Sequence, residues 1–320
     1  MKPIASISLD LDDKWSYIKT HGDPAWKDFP SYLNVVVPRV LDFLETRHLC
    51  LTVFIVGQDA AFKRNYEVLR SIAAAGHEIG NHSFHHEPWL HLYSHEQIET
   101  ELAEAEEHIE HATGIKPLGF RAPGYSLSST ALHVLAQRGY VYDSSTLPNL
   151  LAPIARAIYF MNVKLTIEQK RQRKILGGTF RDALRPVKPY RWNLARGALI
   201  EMPVTTFPIF KIPIHMSYLM CLRMFSHKLA FRYFSTALSL CRLTDTEPSL
   251  VLHPTDFLGS DDAQGLSFFP AMRLPSEIKI AFVSDVLNRL TAGYTLLTIH
   301  QHAVEVSRMS RLAVVEPRFS

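Results

Sequence analysis

The segment Asp10-Leu11-Asp12-Asp13 places three carboxylates in four residues, directly after the apolar-rich run 4–9. Farther along, His82-Ser83-Phe84-His85-His86 supplies histidines four apart. Imidazoles at i and i+4 on one turn converge and can bind a single Zn²⁺-like ion. One carboxylate then completes a three-ligand set with an open position for water. A second carboxylate, kept off the metal, can remove that water's proton. The plainer alternatives are a solvated acidic turn or helix N-cap, and a histidine-rich loop, since His85, His91 and His95 lie close by.

The elements that must position these residues alternate along the chain. Strand candidates fall at 4–9, 50–56, 77–81, 117–121, 140–143, 199–204, 249–253 and 294–299, and helices at 32–47, 58–75, 94–113, 128–138 and 275–292. Ser94 opens the best-signalled helix with a capping box to Gln97, and Gly76, Gly114 and Gly139 suit left-handed helix ends. Strand–helix alternation argues for a parallel sheet, and roughly eight such units argue for an α/β barrel. The polar residues share one phase: Asp10, Asp12, Asp13, His82, His86, Arg121, Asp143 and His253 all end or follow a predicted strand. In a barrel that phase faces the mouth, where active sites are built. His300 and His302 read as a structural turn, and Asp256 as lining the mouth or bridging to His253.

With 320 residues, 47% hydrophobic and 20% charged, the chain can bury a large core and has no composition of disorder. We read it as one catalytic domain. Three cysteines without ligand spacing argue against a disulfide framework. The opening residues are too short and polar an apolar run for a signal peptide or membrane span, so the expected location is cytoplasmic. Net charge is only +3, yet residues 151–242 hold 16 Lys/Arg against three acids, leaving the remainder at −10. That block reads as a basic, apolar insertion, with Arg171, Arg173 and Lys174 as a solvated helix face. Its charge points to an anionic partner.

Five segments occur in an order that carries more weight than any one alone: Asp-Leu-Asp-Asp (10–13), His-Ser-x-x-His (82–86), Arg-Ala-Pro-Gly-Tyr (121–125), Tyr-Asp-Ser-Ser (142–145) and Leu-Val-Leu-His-Pro (250–254). The series resembles the motifs of the polysaccharide deacetylases, carbohydrate esterase family 4, over residues 4–145 and 249–299. The resemblance implies a distorted (β/α) barrel and a divalent metal, zinc above all, held by Asp13, His82 and His86. It further implies Asp12 as general base, Arg121 as its partner, His253 as general acid and Asp143 as the residue that positions and charges His253. Backbone N–H groups near Gly124 and Tyr125 would bind the oxyanion. Two departures stand out. Asp10-Leu11 precede the acids where the family has Thr-Phe, which spreads base and ligand over three carboxylates. Gly124-Tyr125 reverses the family's aromatic-Gly order.

The expected reaction is removal of an N-acyl group, acetyl or formyl, from an aminosugar. Met, Phe and Tyr mixed with Lys and Arg from Lys211 to Leu243 suit a membrane interface. The expected partners are therefore a polyprenyl-phosphate-linked aminosugar and an anionic membrane surface, with the protein peripheral on its inner face; no nucleic acid is expected. The competing readings are an amidohydrolase of a small soluble amide and a non-catalytic carbohydrate- or lipid-binding barrel.

Overall fold

The computed structural model describes residues 2–150, 183–195, 197–263, 265–269, 271–309 and 312–319. Strand β1 (Ile4–Leu11) lies near one end of a 10-stranded sheet and pairs in parallel with β2 (Thr52–Ile55), β8 (Ser249–Leu252) and β9 (Thr295–Leu297). From β2 the sheet continues through β3 (Glu78–Asn81), β4 (Gly119–Phe120), β5 (Tyr142–Asp143), β7 (Ile200–Glu201), β6 (Tyr190–Trp192) and β10 (Ala313–Val315). All pairs are parallel except β6–β7. The sheet curls until the chain after β7 reaches β8: Thr205 donates its N–H to the Ser249 carbonyl (3.0 Å), and Ser249 donates back to Thr205 Oγ1 (2.7 Å). The distorted barrel expected from the sequence is the fold.

Strand alternation explains how β1 serves both faces. Ala5, Ile7, Leu9 and Leu11 pack in the main apolar core under the helices. Ser6, Ser8, Asp10 and Asp12 take the opposite phase, and the first three bond or face His302, Arg121 and His253. The lumen is tightly filled. A Cβ on Gly80 would stand 2.5 Å from Phe54 Cδ1, and one on Gly119 2.0 Å from Tyr142 Cζ, so both positions require glycine.

The helical layer contains the five helices expected from the sequence, one of them split, and adds others. The predicted helix 58–75 is two, α3 (Gly57–Ala61) and α4 (Tyr66–Ala74), because Phe62 takes an extended backbone. A short helix, α1 (Lys14–His21), and a 3-10 turn, Pro24–Asp28, fill the path to α2 (Leu33–Glu45). Strands β6 and β10 form an edge not anticipated. Helices α5 (His95–Thr113), whose capping box is present, and α6 (Ser129–Gln137) precede α7 (Met216–Phe225), α8 (His227–Leu243), α9 (Ser276–Gly293) and α10 (Ile299–Ser307). Of the basic block, residues 151–182, with Arg171, Arg173 and Lys174, lie outside the described residues. Residues of β6, β7, α7 and α8 enter the apolar clusters of the barrel.

Candidate active site

The mouth gathers residues from four strand ends. Asp12, on leaving β1, turns its Oδ1 to within 3.0 Å of His86 Nε2 and 3.4 Å of His82 Nε2. Among the described residues this is the group of metal-ligating side chains that converges on one point. Donor atoms sharing a tetrahedral ion at about 2.0–2.1 Å stand about 3.3 Å apart, which matches these separations. His82 Nδ1 lies 2.6 Å from the Arg121 carbonyl and donates to it, which leaves Nε2 with a lone pair. Asp12 Oδ1 is buried between two imidazoles yet makes a well-formed hydrogen bond to neither. An orphaned carboxylate oxygen facing two acceptor nitrogens fits a cation. Burial works against the Asp12 charge, but His86 and His82 hold its carboxyl well below the usual range.

Asp13, the ligand suggested by motif order, is not in this group. It has left the strand and caps α1: its Oδ1 accepts N–H groups from Lys14 (2.7 Å) and Tyr32 (2.9 Å). Burial pushes it up to about 6 against hydrogen bonds from Ser31, Tyr32 and Lys14. The period of two puts Asp10 and Asp12 on the lumen side and turns Asp13 away.

Asp10 takes the place expected of Asp12. Its Oδ1 accepts from the Arg121 guanidinium, and its Oδ2 faces His253 Nε2 at 3.9 Å. Arg121 is wholly buried and also donates to Ser8 Oγ (2.8 Å), Ser144 O (3.0 Å) and Ser144 Oγ (2.8 Å), with its guanidinium 4.3 Å from the Phe54 ring centroid. One residue thus orients His82 through its carbonyl and Asp10 through its side chain.

Asp143 does not meet His253. Its Oδ1 accepts from Ser145 Oγ (2.5 Å), which itself accepts the Ala122 N–H (2.8 Å) and so fastens the Arg121 loop to β5. Behind it lies Glu201, to which Trp192 Nε1 (2.9 Å) and Thr146 N (2.9 Å) donate. Burial raises both carboxyls, and the nearby Asp143 charge raises Glu201 further. The neighbours of His253 are others. Ser217 Oγ on α7 lies 3.1 Å from Nδ1, and Asp256 accepts the His253 N–H at 2.7 Å. The Ser217 hydroxyl also supports the Asp256 carboxylate, whose pKa burial raises. His215 stands 6.5 Å from His253, ring to ring, and burial first, then His253, lowers it to about 3.

Tyr125 lies on the turn after Arg121, within electrostatic reach of Asp10 and Asp12. Its N–H is already donated to the Ala122 carbonyl (3.0 Å), which removes that group as an oxyanion donor. Its phenol is raised by burial and by Asp10, with Asp12 adding and Arg121 opposing, so it stays a donor. Gly124 and Tyr125 both carry φ of +58°, and Ser83 and His86 are also left-handed, at +62° and +53°. Positive φ at three non-glycine residues around one site is strain held by the surrounding structure. Ser217 and Tyr32, whose hydroxyl donates to the Asp12 carbonyl (2.5 Å), had no motif to announce them. His302 is structural, buried between Ser6 and Glu247.

Residues 6–142 match the family model described as polysaccharide deacetylase. Over that stretch, which is less than half of its length, the chain is similar to that family. It is 31% identical over 157 residues to the peptidoglycan deacetylase of Helicobacter pylori, covering 47% of this chain and 52% of that one. The chain therefore spans about half the length of the curated relatives it matches first. Among solved structures, a Mycobacterium smegmatis protein assigned as a polysaccharide deacetylase superposes with a TM-score of 0.60 at 20% identity, over 98% of this chain and 96% of that one. A Pseudomonas aeruginosa protein given the same assignment superposes with a TM-score of 0.58 at 16% identity, over 96% and 91%. These two share the fold.

Proposed function

We propose that the protein is a metal-dependent hydrolase that removes an N-acetyl or N-formyl group from an aminosugar. The observation that carries this reading is the convergence of Asp12, His82 and His86, with Asp10 and His253 facing each other beside them. Asp12 Oδ1, His82 Nε2 and His86 Nε2 would hold the ion, and two imidazoles with one carboxylate favour zinc. Bound there, the ion supplies Lewis acidity to an acyl carbonyl and makes water acidic enough to lose a proton near neutral pH.

Asp10 takes that proton on Oδ2, since Arg121 occupies Oδ1 and fixes the carboxylate plane. His253 gives a proton from Nε2 to the departing amine, while Ser217 orients its ring from Nδ1 and Asp256 holds its backbone by accepting the His253 N–H. The Tyr125 phenol donates to the oxyanion, in place of the backbone groups of Gly124 and Tyr125. Asp143 acts at one remove, through Ser145, by anchoring the Arg121 loop.

A lipid-linked form of the substrate is supported by the outer surface of α7, α8 and the loop before them. Phe225 is 86% exposed, Ile209 61%, Phe210 55% and Leu229 52%, with Lys228 and Arg232 exposed among them. Apolar anchors between cations suit an anionic membrane interface. Among the described residues no helix is long and apolar enough to cross a membrane, so such an association would be peripheral.

The test is an assay of acetate and formate release from N-acetyl and N-formyl aminosugars, free and polyprenyl-phosphate-linked, with added Zn²⁺. Release that chelator abolishes and Zn²⁺ restores is expected. Turnover of small soluble amides alone would redirect the substrate, and no release by metal-loaded protein would leave a binding barrel.

A further inference from the structure

Two residues before Ser217, the loop that leaves β7 sets His215 at the head of α7. Its ring stands 6.5 Å from that of His253, at an interplanar angle of 71°, and 6.3 Å from that of Tyr218. His253 in turn faces Asp10 Oδ2 at 3.9 Å. His215 therefore borders the side of the mouth from which the departing amine is protonated.

The fold gives its side chain no hydrogen-bonding task. His302, by contrast, is satisfied at both ring nitrogens, by Ser6 and Glu247, and His82 gives Nδ1 to the Arg121 carbonyl. His215 is half-buried, and its Nδ1 is shut off from solvent without a hydrogen-bond partner among the described residues. It occupies the N-cap position of α7, yet only its carbonyl serves the helix, accepting the Tyr218 and Leu219 N–H groups at 3.1 Å each. The ring also carries no charge. Burial, then the nearby His253, lowers it to about 3, with Asp10 opposing. A buried polar atom without a partner in a native fold calls for an explanation, and here it lies beside the reacting groups.

A neutral imidazole offers one donor and one acceptor. An anionic group gains no charge pairing from such a ring, and a hydrocarbon leaves its nitrogens unanswered. A hydroxyl both donates and accepts, so it pairs with either tautomer. Once His253 Nε2 has met the amine nitrogen, the parts of an aminosugar that lie alongside are the neighbouring ring carbons, and those carry hydroxyls.

We propose that His215 is a substrate-binding residue that hydrogen-bonds a sugar hydroxyl on the amine side of the scissile bond, so that the site selects the sugar as well as the acyl group. The identity of the ligand rests on the aminosugar reading above, but the role can be tested without turnover. The metal-loaded full chain is titrated with methyl glucosaminide, which has no acyl group left to lose, and with its 3-, 4- and 6-deoxy analogues, and affinities are read by ligand-observed NMR. In the wild type at least one deoxy analogue should bind about tenfold more weakly than the parent sugar, the penalty of leaving a buried polar partner unpaired. His215→Phe, which keeps a flat ring beside His253, and His215→Leu should each bring that analogue within about twofold of the parent. His215→Gln, whose amide still donates and accepts, should keep part of the discrimination. Equal affinity for all four sugars in the wild type, or penalties that persist unchanged in both His215→Phe and His215→Leu, would overturn the assignment. The two readings separate cleanly. Discrimination that depends on His215 in a protein that releases neither acetate nor formate would sink the hydrolase and keep the role of His215. Acyl release by a protein that binds every deoxy analogue as tightly as the parent would do the reverse.

Discussion

The Arg121 carbonyl and His82 Nδ1 are 2.6 Å apart, and the guanidinium of the same arginine grips Asp10. The backbone of one buried residue therefore selects the imidazole tautomer with Nε2 open toward Asp12, while its side chain orients the proposed base. Metal affinity and proton transfer should separate by mutation accordingly. Purified protein should contain about one Zn²⁺ per chain by elemental analysis. His82→Ala and Asp12→Asn should lose it, whereas Asp13→Asn should retain it at little cost in stability, since asparagine caps a helix about as well as aspartate. Metal retained in Asp12→Asn and absent from Asp13→Asn would reverse the assignment.

Asp10→Asn should keep its zinc and lose about 10²–10⁴-fold in kcat, the usual contribution of a general base. His253→Ala should behave similarly. Steady-state kinetics paired with metal analysis on both variants decide the matter. Asp10→Asn at wild-type activity would remove Asp10 from the chemistry.

Ser217 sits between His253 Nδ1 (3.1 Å) and the Asp256 carboxylate it supports. Ser217→Ala should lower kcat about tenfold, the worth of one hydrogen bond to a group that gains charge, and leave KM unchanged. Ser217→Thr, which keeps the hydroxyl, should recover most of the loss. Parallel changes in kcat and thermal stability across both variants would mean that Ser217 only packs.

Much of this was legible beforehand. The barrel followed from strand–helix alternation, and the mouth from the phase of its polar residues. Within Asp10-Leu11-Asp12-Asp13, motif order and strand geometry point to different pairs of carboxylates. Ser6, Ser8, Asp10 and Asp12 alternate with Ala5, Ile7, Leu9 and Leu11, and that period alone puts Asp10 and Asp12 on one face. Asp13 stands where an N-cap belongs. The Ser217–His253 contact was not legible, because it joins residues of different elements 36 positions apart and serine has no periodic signature. Strands β6 and β10 were hidden for a related reason: at three residues each they are too short to show alternation.

Lys279 is buried in α9, 3.4 Å from Met272 Sδ, and burial lowers its pKa from 10.5 to about 8, opposed by Asp256, Asp261 and Asp262. Between those values the unfolded chain binds more protons than the folded one, so unfolding free energy rises with pH there. Wild-type protein should gain up to about 3 kcal/mol from this group between pH 8 and 10.5, and Lys279→Met should lack that increment. Urea melts of both proteins at pH 7.5, 9 and 10.5 measure it, and identical pH dependence in the two would show that Lys279 is not the source.

The membrane reading is tested on side chains that are free to insert. Phe234 is 1% exposed and belongs to the core, so Phe234→Ser should destabilise the fold by about 3–5 kcal/mol whatever the protein binds. Phe225 and Leu229 are 86% and 52% exposed, and changing both to Ser should leave the thermal melt within a degree or two. If the surface lies on lipid, wild-type protein should sediment with vesicles containing phosphatidylglycerol, and less so as salt is raised. The Phe225→Ser/Leu229→Ser variant should bind at least tenfold more weakly, and Lys228→Glu with Arg232→Glu should weaken binding further, each cation near such a surface contributing about 1 kcal/mol. Wild-type protein that remains in the supernatant with anionic vesicles at low salt would separate the hydrolase from any lipid-linked substrate and favour a soluble one.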